Sequence, residues 1–373
     1  MDLYCHVIDN FGDIGVSWRI ARQLARRGHS VRLWVDDLAS FRFLCQAIDP
    51  SRPVQTVDQV EVHRWVDGVE PRSPGDVVVE MFGCDLPSGL VECMAEQPKK
   101  PLWIDIEYLS AEPWVNQSHG LPSPHPRLPL TRWFFFPGVR NGTGGLPESF
   151  ARATSSGGEG VPVDAAGWYG LAPRRPDVLE VFLFAYPSAP AAALVHAWVD
   201  SPVQVRCLVP HGPVADQVAR ALGCDSASPG QVIQAGALGV QVVPFVDQEV
   251  FDQVLAGCDL AFVRGEDSFA QIQWHGRPFV WQIYPQSDAA HRVKLDAFLH
   301  VYTEGLLTEA AQSLTALWHG WNGYPGSHDL ANAWRGFLSH RATLQRQAAL
   351  WQGKIATLGG LTGHLEAFIR ERL

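Results

Sequence analysis

The chain has 373 residues, 46% of them hydrophobic, enough for two ordinary domains with substantial cores. A formal net charge of −10 weighs against general affinity for nucleic acid, which rests on lysine and arginine neutralising phosphates, and is compatible with a cationic protein partner. Seven scattered cysteines without CxxC or zinc spacing suggest neither a disulfide framework nor a structural metal, and an N-terminal apolar stretch broken at Asp9 argues against a signal peptide or membrane span, so a cytoplasmic protein is expected.

Leu3 to Ile8 form a short apolar run suited to a buried parallel strand. Val16, Ile20 and Leu24 then recur at helical spacing opposite Arg19, Arg22, Gln23 and Arg26, and Gly28 ends that helix. With Val31 to Val35 as a second strand, residues 3–35 form a βαβ unit whose Asp9 to Gly15 loop falls on the carboxyl edge of the sheet. Val77 to Met81 and Leu102 to Ile106 are further strands, so the first half reads as a doubly wound sheet. Between Pro113 and Ser156, proline and glycine around Trp133-Phe134-Phe135-Phe136 predict loop with one buried strand. The small, polar stretch Thr154 to Gly160 is the expected mobile chain near a domain boundary.

From Glu180 the alternation resumes, with strands at 180–186, 203–209 and 239–243 and helices at 190–199, 213–222 and 247–256. The apolar strand Asp259 to Val263, a short helix and the strand Pro278 to Ile283 follow. Helices at 290–300, 308–319 and 328–352 and an amphipathic tail at 355–372 close the chain. Two successive βαβ domains, 1–160 and 161–354, are expected with a cleft between them, and the C-terminal helix 355–373 is expected to pack back on the first.

Two segments carry candidate chemistry. Asp9-Asn10-Phe11-Gly12-Asp13-Ile14-Gly15 has only Gly12 and Gly15, so it lacks both the GxGxxG of dinucleotide folds and the GK[ST] of a P-loop. Asp13 is either a site carboxylate or a plain helix N-cap, and Asp9 either a site residue or a strand-end turn residue. In the second half the apolar strand runs into Arg264-Gly265-Glu266-Asp267-Ser268, where helix N–H groups favour an anion such as a diphosphate. Arg264 would pair with a phosphate bidentately, the backbone and hydroxyl around Asp267 and Ser268 would donate, and Glu266 would accept from sugar hydroxyls or hold Arg264. The bland reading is a strand-to-helix turn with an internal Arg/Glu pair and a Ser or Asp cap.

Gln248 and Phe251, three residues apart at a helix start, suit an amide and a ring meeting a pyrimidine, although Phe251 alone reads as core. Tyr186 ends a strand at the same edge, within reach of a phosphate or sugar. His291 and Lys294 read as part of a helix with alternating charge.

Together with Asp9 to Arg19 and Arg264 to Phe269, the stretch Glu107-Tyr108-Leu109-Ser110-Ala111-Glu112 carries a resemblance that covers about residues 1–300. The chain resembles the bacterial protein-arginine rhamnosyltransferases of elongation factor P. Leu121-Pro122-Ser123, Phe134 to Gly138, Thr143 to Leu146 and His291 to Phe298 support it, with order and spacing preserved; Asp105-Ile106 stands where Asn-Leu is expected.

The resemblance implies a GT-B glycosyltransferase, an α/β protein of two Rossmann-like doubly wound domains facing across a cleft. The acceptor protein, elongation factor P, would bind the N-terminal domain and dTDP-β-L-rhamnose the C-terminal one, with inverting transfer to an arginine guanidinium and no metal or other cofactor. It also implies roles. Asp13 would be the catalytic carboxylate with Asp9 its companion, and Glu266 would serve catalysis or donor positioning. Arg264, Gly265, Asp267 and Ser268 would lie at the diphosphate, Tyr186 at the donor phosphate, and Gln248 and Phe251 at thymine. Asn10, Phe11, Gly12, Gly15, Glu107, Tyr108 and Glu112 would bind the acceptor or support its loops. Two other readings stand beside this one: a nucleotide-sugar glycosyltransferase with a lipid or carbohydrate acceptor, and a non-catalytic binding module of the same fold.

Overall fold

Asp2–Cys5 (β1) and Val31–Val35 (β2) pair in parallel around the crossover helix Gly12–Arg26 (α1), as the apolar spacing of residues 3–35 dictates. The computed structural model describes residues 1–9, 11–66, 73–149, 165–173, 175–286 and 289–373. The chain divides into Met1–Glu148 with Ile355–Leu373 (unit 1) and Ser149–Lys354 (unit 2). Thr154 to Gly160, and the boundary expected at residue 160, lie outside the described residues. Among the described residues no helix is long and apolar enough to cross a membrane.

In unit 1, β1 stops at Cys5 although the apolar run continues to Ile8. The reason is where the next donors go: Val7 N–H bonds Asp36 Oδ1 at 2.9 Å and Ile8 N–H bonds Asp13 Oδ2 at 2.9 Å, so two carboxylates replace a neighbouring strand. The remaining elements are Leu38–Leu44 (α2), Val54–Val57 (β3), Val60–Arg64 (β4), Val77–Met81 (β5), Ser88–Glu96 (α3), Leu102–Ile106 (β6), Val115–Ser118 (α4), Pro122–Pro124 (β7) and Thr131–Phe135 (β8). The strands lie in the order β3-β4-β2-β1-β5-β6-β8-β7, antiparallel only at the β3/β4 and β7/β8 edges. The β3/β4 hairpin escapes the sequence reading because Asp58 (φ +48°) and Gln59 (φ +66°) make its left-handed turn without the usual glycine.

Ile14, Trp18, Ala21 and Leu24 of α1 bury against Leu3, Val79 and Ile104 on one face of this sheet. Leu361, Leu365, Phe368 and Ile369 from the C-terminal helix Leu361–Arg370 join the same core. Full burial of each leucine contributes on the order of 2 kcal/mol. The opposite face packs Tyr4, Trp34 and Trp103 against Leu90 and Met94 of α3.

In unit 2 a 3₁₀ turn, Ala165–Tyr169, precedes Val178–Leu183 (β9), Ala191–Val199 (α5), Gln204–Pro210 (β10), Pro213–Ala221 (α6), Val232–Ala235 (β11) and Leu238–Val243 (β12). Gln248–Gly257 (α7), Leu260–Arg264 (β13), Asp267–Ile272 (α8) and Phe279–Gln282 (β14) follow, then Ala290–Tyr302 (α9), Thr308–Trp321 (α10), Leu330–Ser339 (α11) and Arg341–Leu358 (α12); the C-terminal helix is α13. The strand order is β11-β12-β10-β9-β13-β14, antiparallel only between β11 and β12. The single helix expected over 328–352 is two, because His340 leaves the ladder and its N–H bonds the Phe337 carbonyl. The tail also breaks, at Gly359, whose φ of +88° suits glycine.

Each sheet has one point where the strand order reverses. In unit 1 it lies between β1 and β5, and in unit 2 between β9 and β13. Loops leaving the carboxyl ends at such points are where open α/β sheets bind ligands.

Candidate functional site

The unit 1 reversal brings together the Asp9–Asp13 loop after β1, Phe82 after β5 and Tyr108 after β6. Asp13 lies inside the first turn of α1, and Phe11 is the N-cap, with no side-chain capping bond. Asp13 therefore does not cap its own helix. Its Oδ2 accepts the N–H groups of Ile8 at 2.9 Å and Asp9 at 2.8 Å, and its Oδ1 accepts from the Tyr108 hydroxyl at 3.2 Å. The residue is 1% exposed, and burial, with the Asp9 charge adding to it, outweighs these bonds and pushes its pKa up to about 6.

Gly12 and Gly15 fit this loop for different reasons. A Cβ on Gly12 would come 2.5 Å from Asp9 Oδ2, so only glycine admits the Asp9 carboxylate there. Gly15 N–H bonds the Phe11 carbonyl at 3.0 Å, the first helical closure of α1. The Phe11 ring packs edge-on to Phe43, with centroids 5.8 Å apart. Asn10 lies outside the described residues. Glu107 N–H extends the β6/β8 ladder to Phe135 O at 3.0 Å. Glu112 accepts from Ser110 Oγ at 2.9 Å and returns its own N–H to that oxygen at 3.0 Å, so it closes its own loop.

The unit 2 reversal gathers a second group. Arg264 ends β13 with its guanidinium over the rings of Phe184, 4.8 Å from the centroid, and Tyr186, 4.5 Å. Gly265, at φ +61°, turns the chain from β13 into α8, and its carbonyl accepts Trp281 Nε1–H at 2.8 Å. Ser268 closes the turn: its hydroxyl donates to Arg264 O at 2.6 Å, and its Oγ accepts Arg264 N–H at 3.1 Å. Helix α8 has only six residues, so the macrodipole at its N-terminus is small.

Three expectations need correction here. Asp267 is not the cap of α8, since Glu266 holds that position without a capping bond; Asp267 Oδ2 instead accepts Gln248 Nε2–H at 3.0 Å. Glu266 is held not by Arg264 but by Lys294, Nζ to Oε1 at 2.9 Å, so Lys294 is more than one charge on an alternating helix. Tyr186 does not end the strand: β9 stops at Leu183, and Tyr186 N–H donates to Gln282 Oε1 at 2.7 Å. Gln248 and Phe251 do share one side of α7 and both are buried, with Phe251 edge-on to Phe182 at 5.3 Å and to Phe184 at 5.1 Å.

Glu80 and Phe82 carry no expectation from the sequence, Lys294 reads there only as one charge of an alternating helix, and Asp105 only as a departure from the family pattern. A signal existed for two of them, because Glu80 and Asp105 each interrupt an otherwise apolar central strand, where a charge is costly unless it serves something. Among the described residues no group of three or more His, Cys, Asp or Glu is placed to hold a metal ion.

A family model described as the elongation factor P (EF-P) rhamnosyltransferase EarP matches residues 1–370. The protein-arginine rhamnosyltransferase of Pseudomonas putida is 41% identical over 385 residues, covering 100% of this chain and 99% of the relative. Its Pseudomonas aeruginosa counterpart is 39% identical over 377 residues, with 100% and 99% covered. A solved structure concerned with EarP-mediated arginine glycosylation of translation elongation factor EF-P matches at TM-score 0.68 and 31% identity, covering 100% of this chain and 99% of that one. Acinetobacter baumannii MurG, at 13% identity and TM-score 0.52 over 100% of this chain and 99% of its own, shares the fold alone. The architecture is thus GT-B, with two Rossmann-like domains, and the chain belongs to the EarP family of EF-P rhamnosyltransferases, a protein-arginine rhamnosyltransferase.

Proposed function

We propose that this enzyme moves L-rhamnose from dTDP-β-L-rhamnose to a guanidinium nitrogen of an arginine in EF-P, with inversion at the anomeric carbon, in the cytoplasm and without a metal. Unit 1 takes the acceptor and unit 2 the donor. The observation that carries this reading is Asp13, a buried carboxylate whose two oxygens are fixed by two N–H groups and a phenol and whose pKa is raised to about 6.

The chemical difficulty is the nucleophile. A guanidinium is protonated far above neutral pH and has no free lone pair, so a base must take a proton as the new bond forms. Asp13 is ionised at neutral pH yet more basic than an ordinary carboxylate. It accepts the guanidinium proton while the nitrogen forms its bond to the anomeric carbon, and the electrons of the breaking carbon–oxygen bond pass to the departing dTDP. Asp9, beside Gly12, orients the cation and selects arginine by charge.

On the donor side, Arg264 meets the charge that develops on the diphosphate, and the backbone around Gly265, Asp267 and Ser268 adds fixed donors. Gln248 and Phe251 take the thymine, Tyr186 the donor phosphate, and Glu266 a sugar hydroxyl, held in place by Lys294. Asn10, Phe11, Gly15, Glu107, Tyr108 and Glu112 shape the acceptor loops. The test is incubation of the purified enzyme with dTDP-rhamnose and EF-P. A single rhamnose-sized mass increase on an arginine, α-linked by NMR, is expected; an unmodified factor, or a β linkage, contradicts the proposal.

A further inference from the structure

Phe82 follows β5 at a backbone angle, φ +59°, that bulky side chains rarely adopt, and Gly83 (φ +59°) and Asp85 (φ +53°) are left-handed too. Such strain persists only where the surroundings over-determine it. Here they do. Asp85 N–H donates to Glu80 Oε1 at 3.0 Å, Gly83 N–H to Asp105 Oδ1 at 3.3 Å, and Phe82 N–H to Ile106 O at 2.7 Å. Glu80 and Asp105 are register partners on β5 and β6, both buried, with Arg132 Nη1 3.6 and 3.5 Å from their carboxylates.

What this turn presents is the Phe82 ring. It lies flat against Tyr108, with centroids 4.4 Å apart and planes 11° from parallel, and the Tyr108 hydroxyl donates to Asp13 Oδ1. We propose that Phe82 is a positioning residue for transfer: its ring fixes Tyr108 so that the hydroxyl stays on Asp13, and Glu80 and Asp105 hold the strained turn that aims the ring. The inference rests on the reading of Asp13 as the base.

The consequence is measurable because the Tyr108 bond favours ionised Asp13 against the burial that opposes it. The titratable groups that act on Asp13 include Asp9 on its own loop and Cys5 at the end of β1, whose thiol burial keeps neutral; Asp36 and Cys84 face Cys5 in turn, and Asp36 Oδ1 holds Val7 N–H. Phe82 meets Asp13 through the Tyr108 ring and hydroxyl. Removing the ring should therefore reach Asp13 through Tyr108.

The experiment compares the pH dependence of kcat/KM for transfer to EF-P in the wild-type enzyme, Phe82→Leu, Phe82→Met, Phe82→Tyr, Tyr108→Phe and the Phe82→Leu/Tyr108→Phe pair. A wild-type rate that rises through a pH near 6 is expected, with the two ring-less variants displacing that rise upward by about half a unit, the size a single weakened hydrogen bond gives. Tyr108→Phe should shift it similarly, the pair should shift it no further, and Phe82→Tyr should keep the wild-type position. A wild-type rise near pH 6 that Phe82→Leu and Phe82→Met leave unmoved, or shifts that add in the pair, overturns the role of Phe82 alone. A wild-type profile without that rise removes Asp13 as the base and this role of Phe82 with it.

Discussion

Lys294 Nζ stands 2.9 Å from Glu266 Oε1, joining α9 to the turn that opens α8. The two side chains are 19% and 13% exposed, and the other Glu266 oxygen, Oε2, is shielded from solvent with no hydrogen bond among the described residues. Lys294 thus fixes the carboxylate to which the proposed function gives a sugar hydroxyl.

Lys294→Met should therefore lower kcat by about 10-fold or more while the protein stays folded, because a carboxylate displaced by even about an ångström loses its alignment. Lys294→Arg should recover part of the loss. Steady-state kinetics at saturating donor decide this, and wild-type kcat in Lys294→Met would remove Glu266 and its partner from donor positioning.

Burying Asp13 costs the fold stability at neutral pH. Its folded pKa of about 6 exceeds the ordinary 3.8, so folding favours the protonated form. That stabilisation is complete below pH about 4 and is lost as the pH rises through about 6, a difference of roughly 3 kcal/mol by pH 7.5. Asp13→Asn should thus be more stable than the wild type at pH 7.5, by up to about 3 kcal/mol, with the gap closing below pH about 4. Thermal unfolding at the two pH values checks it; a less stable variant at pH 7.5 would contradict the buried charge.

Gly12→Ala separates placement from folding. The added methyl meets the far end of the Asp9 side chain, at 2.5 Å from Oδ2, rather than backbone, so Asp9 swings aside at little cost to stability. Transfer should fall by about an order of magnitude through a higher KM for EF-P, while dTDP-rhamnose binding is unchanged. An unaltered KM would return Asp9 to a turn residue.

Leu365 tests the contribution of the C-terminal helix to unit 1. It is fully buried among the core residues of that unit, so Leu365→Ala should cost about 2–5 kcal/mol, read by urea unfolding. A loss under 1 kcal/mol, where about 2 is the usual minimum, would mean that α13 adds little to that core.

The sheets were legible because buried parallel strands are apolar runs, and Val77–Met81 and Leu102–Ile106 lie where the pattern puts them. The Asp9 and Arg264 loops were legible as polar breaks after such runs. Roles inside the loops were not. Whether Asp267 faces its own helix or Gln248, and whether Glu266 meets Arg264 or Lys294, depends on contacts between residues 19 and 28 positions apart, which local spacing does not encode. Phe82 was invisible for a related reason: its left-handed backbone is imposed by Glu80 and Asp105 from beneath, where the sequence offers only a phenylalanine before a glycine.

In the proposed mechanism Asp13 takes the guanidinium proton. Asp13→Asn keeps the shape and the acceptor oxygen but not the base, so the most direct test of that role is single-turnover transfer to EF-P alongside calorimetric titration with dTDP-rhamnose. Donor binding within about twofold of wild type and transfer reduced by at least about 10³-fold are expected. Transfer within about tenfold of wild type, with donor binding intact, would contradict that role of Asp13.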